Sequence, residues 1–267
     1  MIPSLTTIAR QVWREGAIGS GSRVVPEEAA LALTYNGGTY AVMMGTPRDL
    51  KDFALGFSLS EGIIETPGEI ETFEIIELEG GVELRMWLPP ERAATINSRR
   101  RAIAGPSGCG ICGTESVAQA LRSAAPAPEG RSFTPDQIMT AAAALPPLQE
   151  MNQATGALHA AAFWTPDDGI VALREDVGRH NALDKLAGFI AASPLRASDG
   201  IVLLTSRVSV EMVQKAAAMG TSFLVAVSAP TGLAVRTADG AGMTLCAVAR
   251  HDGFEIFTHP RRVAIAT

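Results

Sequence analysis

The amino-acid sequence predicts an α/β protein whose smaller N-terminal part is of the α+β type. In the second half of the chain, short apolar strands alternate with helical segments, which is typical of βαβ units and a largely parallel sheet. The first hundred residues instead combine hairpins with one helix. An Ala- and Pro-rich connection at 124–135 separates the two patterns. We therefore predict a hairpin/helix module over 1–125, ending in a cysteine-containing loop, and a βαβ part over 126–267.

The elements of the hairpin/helix module are predicted from turn residues and alternating apolar positions. Asn36-Gly37 lies between two alternating runs, and Asn-Gly favours the positive φ angles of a tight hairpin turn. Thr46-Pro47 has the composition of a helix start, so a helix is predicted from there to Gly62. Residues 1–23 show no clear period and are interpreted as a loose lead-in. The predicted strands of the module are 29–35, 40–44, 73–78 and 82–88.

Apolar runs and helix caps predict the elements of the βαβ part. Thr134-Pro135 is a capped helix start, and this helix is expected to end at Ala144. The turn-forming residues 165–169 join two strands into a hairpin. The predicted strands of this part are 158–164, 170–173, 201–204, 223–227, 245–249 and 254–257. The predicted helices that alternate with the later strands are 181–191, 210–218 and 232–238.

Composition and charge narrow the class of protein. Hydrophobic residues make up 47% of the chain and charged residues 19%, so wholesale disorder is excluded. With 22 basic and 28 acidic residues the net charge is −6, which argues against nucleic acid as a partner. No signal peptide or membrane-length apolar run is visible, and three cysteines are too few for a disulfide scaffold. A cytoplasmic protein without a membrane partner is expected.

The segment at 99–113 combines three arginines, four glycines and a Cys-x-x-Cys pair, Cys109 and Cys112, so a loop is predicted there. Glycines leave the thiols accessible, and the arginines favour thiolate over thiol. A reactive thiol, half of a zinc site and an inert pair all remain open from spacing alone, because a structural zinc site needs four ligands. Cys246 lies in an apolar strand, where packing is its expected role.

His159 raises a zinc-dependent deaminase or hydrolase as an alternative, since such enzymes pair a histidine with Cys-x-x-Cys. Their chemistry requires a glutamate two residues after the histidine, and that position here is Ala161. The cysteines also precede the histidine. Deamination is therefore disfavoured on mechanism, and a hydrogen-bonded core histidine is the simpler interpretation of His159.

Polar residues follow several predicted strands, where open α/β sheets collect their ligands. Asp176 suits the amine edge of a guanine, and Arg179 and Lys185 suit phosphates, although a capped, salt-bridged helix start is the alternative. The segments 205–207 and 228–232 add hydroxyls, Arg and Gly after the next strands, although Ser or Thr there is often only a helix cap. Together these junctions predict one pocket for a phosphate-bearing ligand.

Several motifs together closely resemble the formate dehydrogenase accessory sulfurtransferase (FdhD) family. The match extends over about residues 25–260 in the right order, and the Asp-Val-Gly-Arg-His-Asn run joined to the cysteine loop is highly specific. The motifs are Phe53-Ala54-Leu55-Gly56-Phe57, Ser60-Glu61-Gly62, Gly108-Cys109-Gly110-Ile111-Cys112-Gly113, Glu175-Asp176-Val177-Gly178-Arg179-His180-Asn181-Ala182, Asp184-Lys185, Thr205-Ser206-Arg207 and Ser228-Ala229-Pro230-Thr231.

The resemblance implies a sulfurtransferase that receives persulfide sulfur from a cysteine desulfurase. It passes the sulfur to the molybdenum cofactor, bis-molybdopterin guanine dinucleotide, before insertion into formate dehydrogenase. Cys109 corresponds to the family's persulfide carrier, while Cys112 either assists by attacking the inner sulfur or shapes the loop. The resemblance also implies a cytidine-deaminase-like mixed sheet and a homodimer. A cofactor-binding chaperone without chemistry of its own remains a further alternative.

The resemblance and the strand junctions nominate one set of site residues. The family's C-terminal cofactor-binding stretch falls at about 248–253, where Val248 replaces its usual aromatic start. Cys109 and Cys112 are the expected catalytic residues, and no resident metal is expected. The expected cofactor-binding residues are Asp176, Arg179, His180, Asn181, Ser206, Arg207, Ser228, Thr231, Val248, Ala249, Arg250, His251, Asp252 and Gly253.

Overall fold

The computed structural model describes residues 2–92 and 123–265 and confirms the α/β class. No helix among these residues is long and apolar enough to cross a membrane. The strands are β1 Leu5–Arg14, β2 Ala17–Pro26, β3 Ala29–Tyr35, β4 Gly38–Gly45, β5 Thr72–Leu78, β6 Gly81–Trp87, β7 His159–Thr165, β8 Gly169–Asp176, β9 Ile201–Leu204, β10 Phe223–Ala226, β11 Thr244–Arg250 and β12 Gly253–Thr258. The helices are α1 Leu50–Ser60, α2 Pro135–Ala144, α3 Glu150–Thr155, α4 Arg179–Ala191, α5 Val210–Ala218 and α6 Gly232–Gly240.

A six-stranded sheet in the order β12-β11-β10-β9-β7-β8 forms the second half of the chain. Only β9, β10 and β11 pair in parallel; β7 pairs antiparallel with β8 and β9, and β11 with β12. The sheet is therefore mixed, as the resemblance implied; it is not largely parallel, because each end of the sheet is a hairpin that adds antiparallel pairs. Helices α4, α5 and α6 cover one face of the sheet, and α2 covers the other.

A four-stranded sheet in the order β4-β3-β6-β5 lies in the first half of the chain. Asn36 and Gly37 have φ angles of 48° and 78°, which confirms the predicted tight turn between β3 and β4. One face of the sheet packs on α1 through a separate cluster of buried apolar residues between Ala29 and Leu88. The division at 125/126 itself stays a prediction.

The loose lead-in predicted for residues 1–23 is wrong. Strands β1 and β2 pair over ten residues each into an antiparallel ribbon. Its turn is Glu15-Gly16, with φ angles of 51° and 82°, and Gly at the second turn position was the local signal for it. Most of the ribbon is exposed, so its sequence carries little of the apolar alternation that a core imposes.

Helix α1 begins at Leu50, after the left-handed Asp49, and not at the predicted Thr46-Pro47. Thr46 is used elsewhere, because its backbone N–H donates to Asp176 Oδ2 at 3.0 Å and its Oγ1 accepts from the Val177 N–H at 3.2 Å. These contacts fix the end of β4 against the end of β8. A contact with a residue 130 positions later thus overrides a local capping signal.

Helices α1 and α4 cross at two glycines. A Cβ atom built on Gly56 would lie 1.7 Å from the carbonyl oxygen of Asp184, and one on Gly188 would lie 1.9 Å from that of Asp52. Both obstacles are backbone atoms, which cannot rotate away. The close approach therefore requires glycine on both helices, and it joins the N-terminal module to the six-stranded sheet.

We expect Gly56→Ala to destabilise the fold by about 3 kcal/mol or more, because the added methyl group must push two backbones apart. The urea midpoint of unfolding measures this loss. Gly240→Ala is the matched control, since Gly240 also lies in a helix but a Cβ atom added there would meet nothing within 4 Å. A Gly56→Ala midpoint equal to that of the control would contradict the crossing.

Candidate functional site at the carboxyl edge of the sheet

The carboxyl ends of four strands meet at one edge of the six-stranded sheet. Strands β8, β9, β10 and β11 run in the same direction, so the segments that follow or end them lie at this edge. The start of β7 lies there too, because His159 pairs with Asp176 at the end of β8. The sequence therefore correctly placed its polar junctions on one edge.

Backbone hydrogen bonds hold neighbouring junctions together. The Val208 N–H donates to Ala229 O at 3.3 Å, and the Thr231 N–H donates back to Val208 O at 2.9 Å. The Val248 N–H reaches Ser228 O at 3.4 Å, which joins the end of β11 to the same group. The segments 205–209, 228–231 and 248–253 are consequently neighbours at this edge.

Asp176 is the centre of a fully buried polar network. Its Oδ1 accepts from the Gly178 N–H at 2.8 Å and from Asn181 Nδ2 at 3.0 Å. Its Oδ2 accepts from the Thr46 N–H at 3.0 Å and forms an ion pair with Lys185 Nζ at 2.7 Å. The side chains of Asp176 and Lys185 are both 0% exposed, so this pair is screened from water.

This network leaves no acceptor position of Asp176 for a ligand. Lys185 Nζ also donates to Thr46 O at 3.0 Å and to Glu175 O at 3.3 Å, so its three donor positions are filled as well. Asn181 is buried and donates to Met44 O and Asp176. The prediction that Lys185 contacts a phosphate was wrong, because its ammonium group is buried and its donors are used inside the protein. The ligand-binding role of Asp176 and Asn181 stays a prediction, and the geometry favours a structural role.

A second buried ion pair joins Asp184 and Lys215, and Asp184 directly precedes Lys185 in helix α4. Lys215 Nζ lies 3.0 Å from both oxygens of Asp184, 2.8 Å from Ser60 Oγ and 3.3 Å from Glu61 Oε1. Although burial alone lowers the pKa of the Lys215 ammonium, the Asp184 and Glu61 carboxylates outweigh it and raise that pKa. The Ser60-Glu61 and Asp184 positions of the sequence motifs thus join α1, α4 and α5.

Arg179 and His180, at the start of α4, carry buried polar atoms without a partner in the described part of the chain. Within residues 2–92 and 123–265, neither Arg179 Nε nor His180 Nε2 has a hydrogen-bond partner. Burial, together with the positive charges of Arg179 and Lys215, lowers the pKa of His180 to about 4. Burial and Arg179 also lower the pKa of His159. The Nε–H donor of Arg179 at this edge therefore has no partner among the described residues, and the imidazoles of His159 and His180 are neutral at pH 7; a free guanidinium donor suits an anionic ligand.

The depressed pKa of His180 predicts acid sensitivity. An unfolded histidine takes up its proton near pH 6.5, whereas folded His180 does so only near pH 4. Stability is therefore full above about pH 6.5 and falls between pH 6.5 and 4, by at most about 3 kcal/mol for this group. Urea unfolding at both pH values should show a smaller fall for His180→Gln. His251→Gln, at an exposed position, should retain the full fall, and an equal fall in both variants would contradict this assignment.

The other predicted site residues divide into internal contacts and exposed groups. Ser206 is buried, and its Oγ donates to Arg207 O; Thr231 Oγ1 accepts from the Ala234 N–H as the cap of α6. Ser228 and Ala249 are half-buried and buried, respectively. Arg207, Arg250, His251 and Asp252 are exposed at the edge, and Gly253 begins β12.

Val248 has strained backbone geometry. Its φ angle is 54°, in the left-handed region that β-branched residues rarely adopt. It lies in the irregular stretch where the β11–β12 register shifts between Ala247 and Arg250. Strain of this kind collects at functional segments, and this one coincides with the predicted stretch 248–253.

The predicted thiol pair, Cys109 and Cys112, lies outside the described residues. Cys246 is inside them, fully buried, and its burial raises its thiol pKa to about 12. Across residues 2–92 and 123–265, no group of three or more His, Cys, Asp or Glu side chains is arranged to hold a metal ion.

Sequence reasoning missed the roles of Thr46, Glu175 and Lys215. Glu175 caps α3, a helix that was not predicted, by accepting from the Met151 and Asn152 N–H groups at 3.0 and 2.8 Å. Glu175 stands within the motif run, but its partners lie 23 and 24 residues earlier. Nothing in local spacing connects these residues, so no sequence signal was available for them.

Comparison with known proteins agrees with the motifs. The FdhD/NarQ family matches residues 26–264 of the chain. "Sulfur carrier protein FdhD" of Agrobacterium fabrum is 48% identical over 263 residues, which cover 98% of this chain and 97% of that protein. The protein of the same name from Cupriavidus necator is 47% identical over 98% of this chain and 91% of its own length.

A solved structure has the same fold. The crystal structure of a proposed formate dehydrogenase accessory protein from Desulfotalea psychrophila superposes with a TM-score of 0.77. The match covers 98% of this chain and 100% of that chain at 23% identity, so it bears on the fold alone. Because the family match and the two relatives span nearly the whole sequence, the chain belongs to the FdhD/NarQ family.

Proposed function

We propose that this protein is a sulfur carrier that acts as a sulfurtransferase in the cytoplasm. It accepts persulfide sulfur from a cysteine desulfurase and delivers it to bis-molybdopterin guanine dinucleotide, which then serves formate dehydrogenase. Family membership and the name of the two relatives support the sulfur-carrier role. The persulfide chemistry, the identity of the acceptor and the partners are our proposal.

The burial of Cys246 is the observation on which we base the assignment of the cysteine that carries sulfur. A persulfide carrier needs a thiolate that can reach a donor protein. The chain has three cysteines, and Cys246 is 0% exposed with a thiol pKa of about 12. Its thiol is therefore neither accessible nor ionised at pH 7. Sulfur carried on a cysteine must reside on Cys109 or Cys112, and we propose Cys109.

The carboxyl edge of the sheet supports a nucleotide-bearing acceptor. Arg207 and Arg250 are exposed there and can pair with phosphates. The unsatisfied donor on Arg179 and the neutral imidazole of His180 lie at the start of α4, where a helix favours anions. These residues fit a pyrophosphate-bearing ligand, whereas the filled network of Asp176 and Lys185 fits a scaffold beneath it.

The first transfer step is a thiol exchange without net oxidation. The Cys109 thiolate attacks the terminal sulfur of the desulfurase persulfide, and a new S–S bond forms on Cys109. The old S–S bond breaks, and the desulfurase cysteine leaves as a thiolate. The protein then holds one extra sulfur atom that reductant can remove.

Intact-mass measurement tests this proposal. The protein is incubated with a cysteine desulfurase and free cysteine, and we expect a mass increase of one sulfur atom that reductant removes. Cys109→Ala should abolish the increase, and Cys246→Ala should keep it. An unchanged mass in the native protein, or loading that Cys109→Ala does not affect, would overturn the assignment.

Further measurements on the same purified protein test the two alternative functions, a deaminase-like hydrolase and a cofactor chaperone. Stoichiometric zinc bound to the purified protein, together with cytidine turnover, would favour the deaminase-like hydrolase. Binding of guanine-containing cofactor without any sulfur loading would favour a chaperone. Neither result agrees with a persulfide on Cys109.

A further inference from the structure

Neither strand of the β1–β2 ribbon contains a buried residue. Trp13 is 70% exposed and Ile18 is 72% exposed, and the two are paired opposite each other beside the turn. At its base, Arg23 Nη2 donates to Thr155 O at 2.7 Å, but the residues around the turn are exposed. A two-stranded ribbon is at best marginally stable in water. The β1–β2 ribbon is therefore an exposed arm, of the kind that a binding partner covers.

The arm is basic on one face. Residues opposite each other in an antiparallel pair share a face, so Arg10, Arg14 and Arg23 lie together with Val12 and Ile8. Trp13 and Ile18 lie on the other face. Residues 1–26 hold three arginines and one glutamate, although the whole chain carries a net charge of −6. The arm is thus cationic on an acidic protein.

The complementary surface lies on the same chain. Residues 71–79 contain four exposed glutamates and no Lys or Arg, although Arg85 of β6 lies 3.9 Å from Glu74. They include β5, the edge strand of the four-stranded sheet. Within the described chain, β5 pairs only with β6, so its other edge faces away from its own sheet. The exposed charged and apolar side chains on and beside β5 are Glu71, Glu74, Ile75, Glu77, Leu78 and Glu79.

We propose that the arm docks along strand β5 of a second copy of this chain. Arg10 and Arg14 face the carboxylates, and the Trp13–Ile18 pair meets the exposed apolar side chains of that edge. Edge-to-edge addition supplies hydrogen-bond partners to both open strands. A second copy is favoured over another protein because arm and acceptor edge are complementary in charge and lie on one chain.

The symmetry of the exchange adds to this argument. Two copies related by a two-fold axis can each insert the arm into the other, so one contact type is made twice and the assembly closes. The proposal assigns the surface that joins the copies. It does not depend on the sulfur chemistry, and its test requires no activity.

A charge-swap experiment on the full chain tests the interface. One variant reverses the charge of the arm by Arg10→Glu/Arg14→Glu. A second variant reverses the charge of the β5 edge by Glu71→Arg/Glu79→Arg. Each variant alone places like charges opposite each other, so we expect its dimer to weaken at least about a hundredfold in sedimentation equilibrium. A 1:1 mixture of the two restores both contacts and should be dimeric, as should one chain that carries all four changes. Arg236→Glu/Arg261→Glu, at exposed positions elsewhere, is the control and should dimerise like the native chain.

The outcomes distinguish the partners that could cover the arm. Restoration of the dimer in the mixture and in the four-change chain supports the proposal, and it also shows that the single reversals are folded. A native chain that is monomeric throughout the concentration series would overturn it and leave the arm to a different protein. A native dimer that neither reversal weakens would place the contact between copies elsewhere, and this too would overturn it.

Discussion

Lys185→Met is expected to lower the free energy of unfolding by about 3–5 kcal/mol, because it leaves the Asp176 carboxylate buried without its counter-charge. Both side chains are 0% exposed, and water cannot replace the lost ammonium. Two backbone carbonyls, Thr46 O and Glu175 O, lose a donor in the same change. Domains are commonly stable by only about 5–15 kcal/mol, so the effect is large. Urea unfolding followed by circular dichroism measures it.

Two further variants separate the buried charge from the loss of a long side chain. Lys51→Met removes an exposed lysine from α1 and should change stability by less than about 0.5 kcal/mol. Asp176→Asn/Lys185→Met removes both charges and should recover part of the loss. If Lys185→Met were as stable as Lys51→Met, Asp176 and Lys185 would not be the electrostatic centre of the fold.

Cys109→Ala is expected to reduce formate dehydrogenase activity to background in cells that depend on this protein for sulfur delivery. The reason is chemical, since alanine has no atom that can form a persulfide. Cys246→Ala removes only a buried thiol with a pKa of about 12, so activity should persist at the level of its folded protein. Enzyme activity is measured in extracts, normalised to the amount of each variant.

The comparison between the two cysteine variants is the control for this prediction. Full activity with Cys109→Ala would replace the sulfur carrier by a chaperone that only binds the cofactor. Loss of activity with Cys246→Ala, at normal protein level, would contradict the interpretation of Cys246 as core packing. Cys112→Ala in the same assay distinguishes a chemical role for that thiol from a role in shaping the loop.

Local sequence signals predicted the elements whose causes are local. Asn36-Gly37 and Thr134 form the predicted turn and cap, and Thr134 forms a reciprocal capping box with Gln137. The β1–β2 ribbon escaped prediction because exposed strands need no apolar alternation. The start of α1 was displaced because the Thr46 side chain and N–H bind the end of β8. Long-range contacts and exposure therefore explain the errors in this half.

The position of the candidate site was predictable, but the roles of its residues were not. Strands that run in one direction place their following loops on one edge, so the junctions after β8, β9, β10 and β11 were correctly grouped. Asp176 and Lys185 are polar residues at such a junction, where a ligand contact and a buried ion pair have the same sequence pattern. Only the burial of both side chains identifies them as an ion pair and not as ligand contacts. The partners of Lys215 lie up to 155 residues away, beyond any local motif.

A labelling experiment can follow the transferred sulfur atom from this protein to its acceptor. A cysteine desulfurase first loads the protein with radioactive sulfur, and small molecules are then removed. The loaded protein is added to an extract of cells that lack this protein. Formate dehydrogenase is purified from the extract, and the radioactivity of its molybdenum cofactor is measured. We predict that the label leaves the protein and appears in that cofactor, and that protein carrying Cys109→Ala transfers none. Label that stays on the protein, or that is released as free sulfide without reaching the cofactor, would contradict sulfur delivery to the molybdenum cofactor.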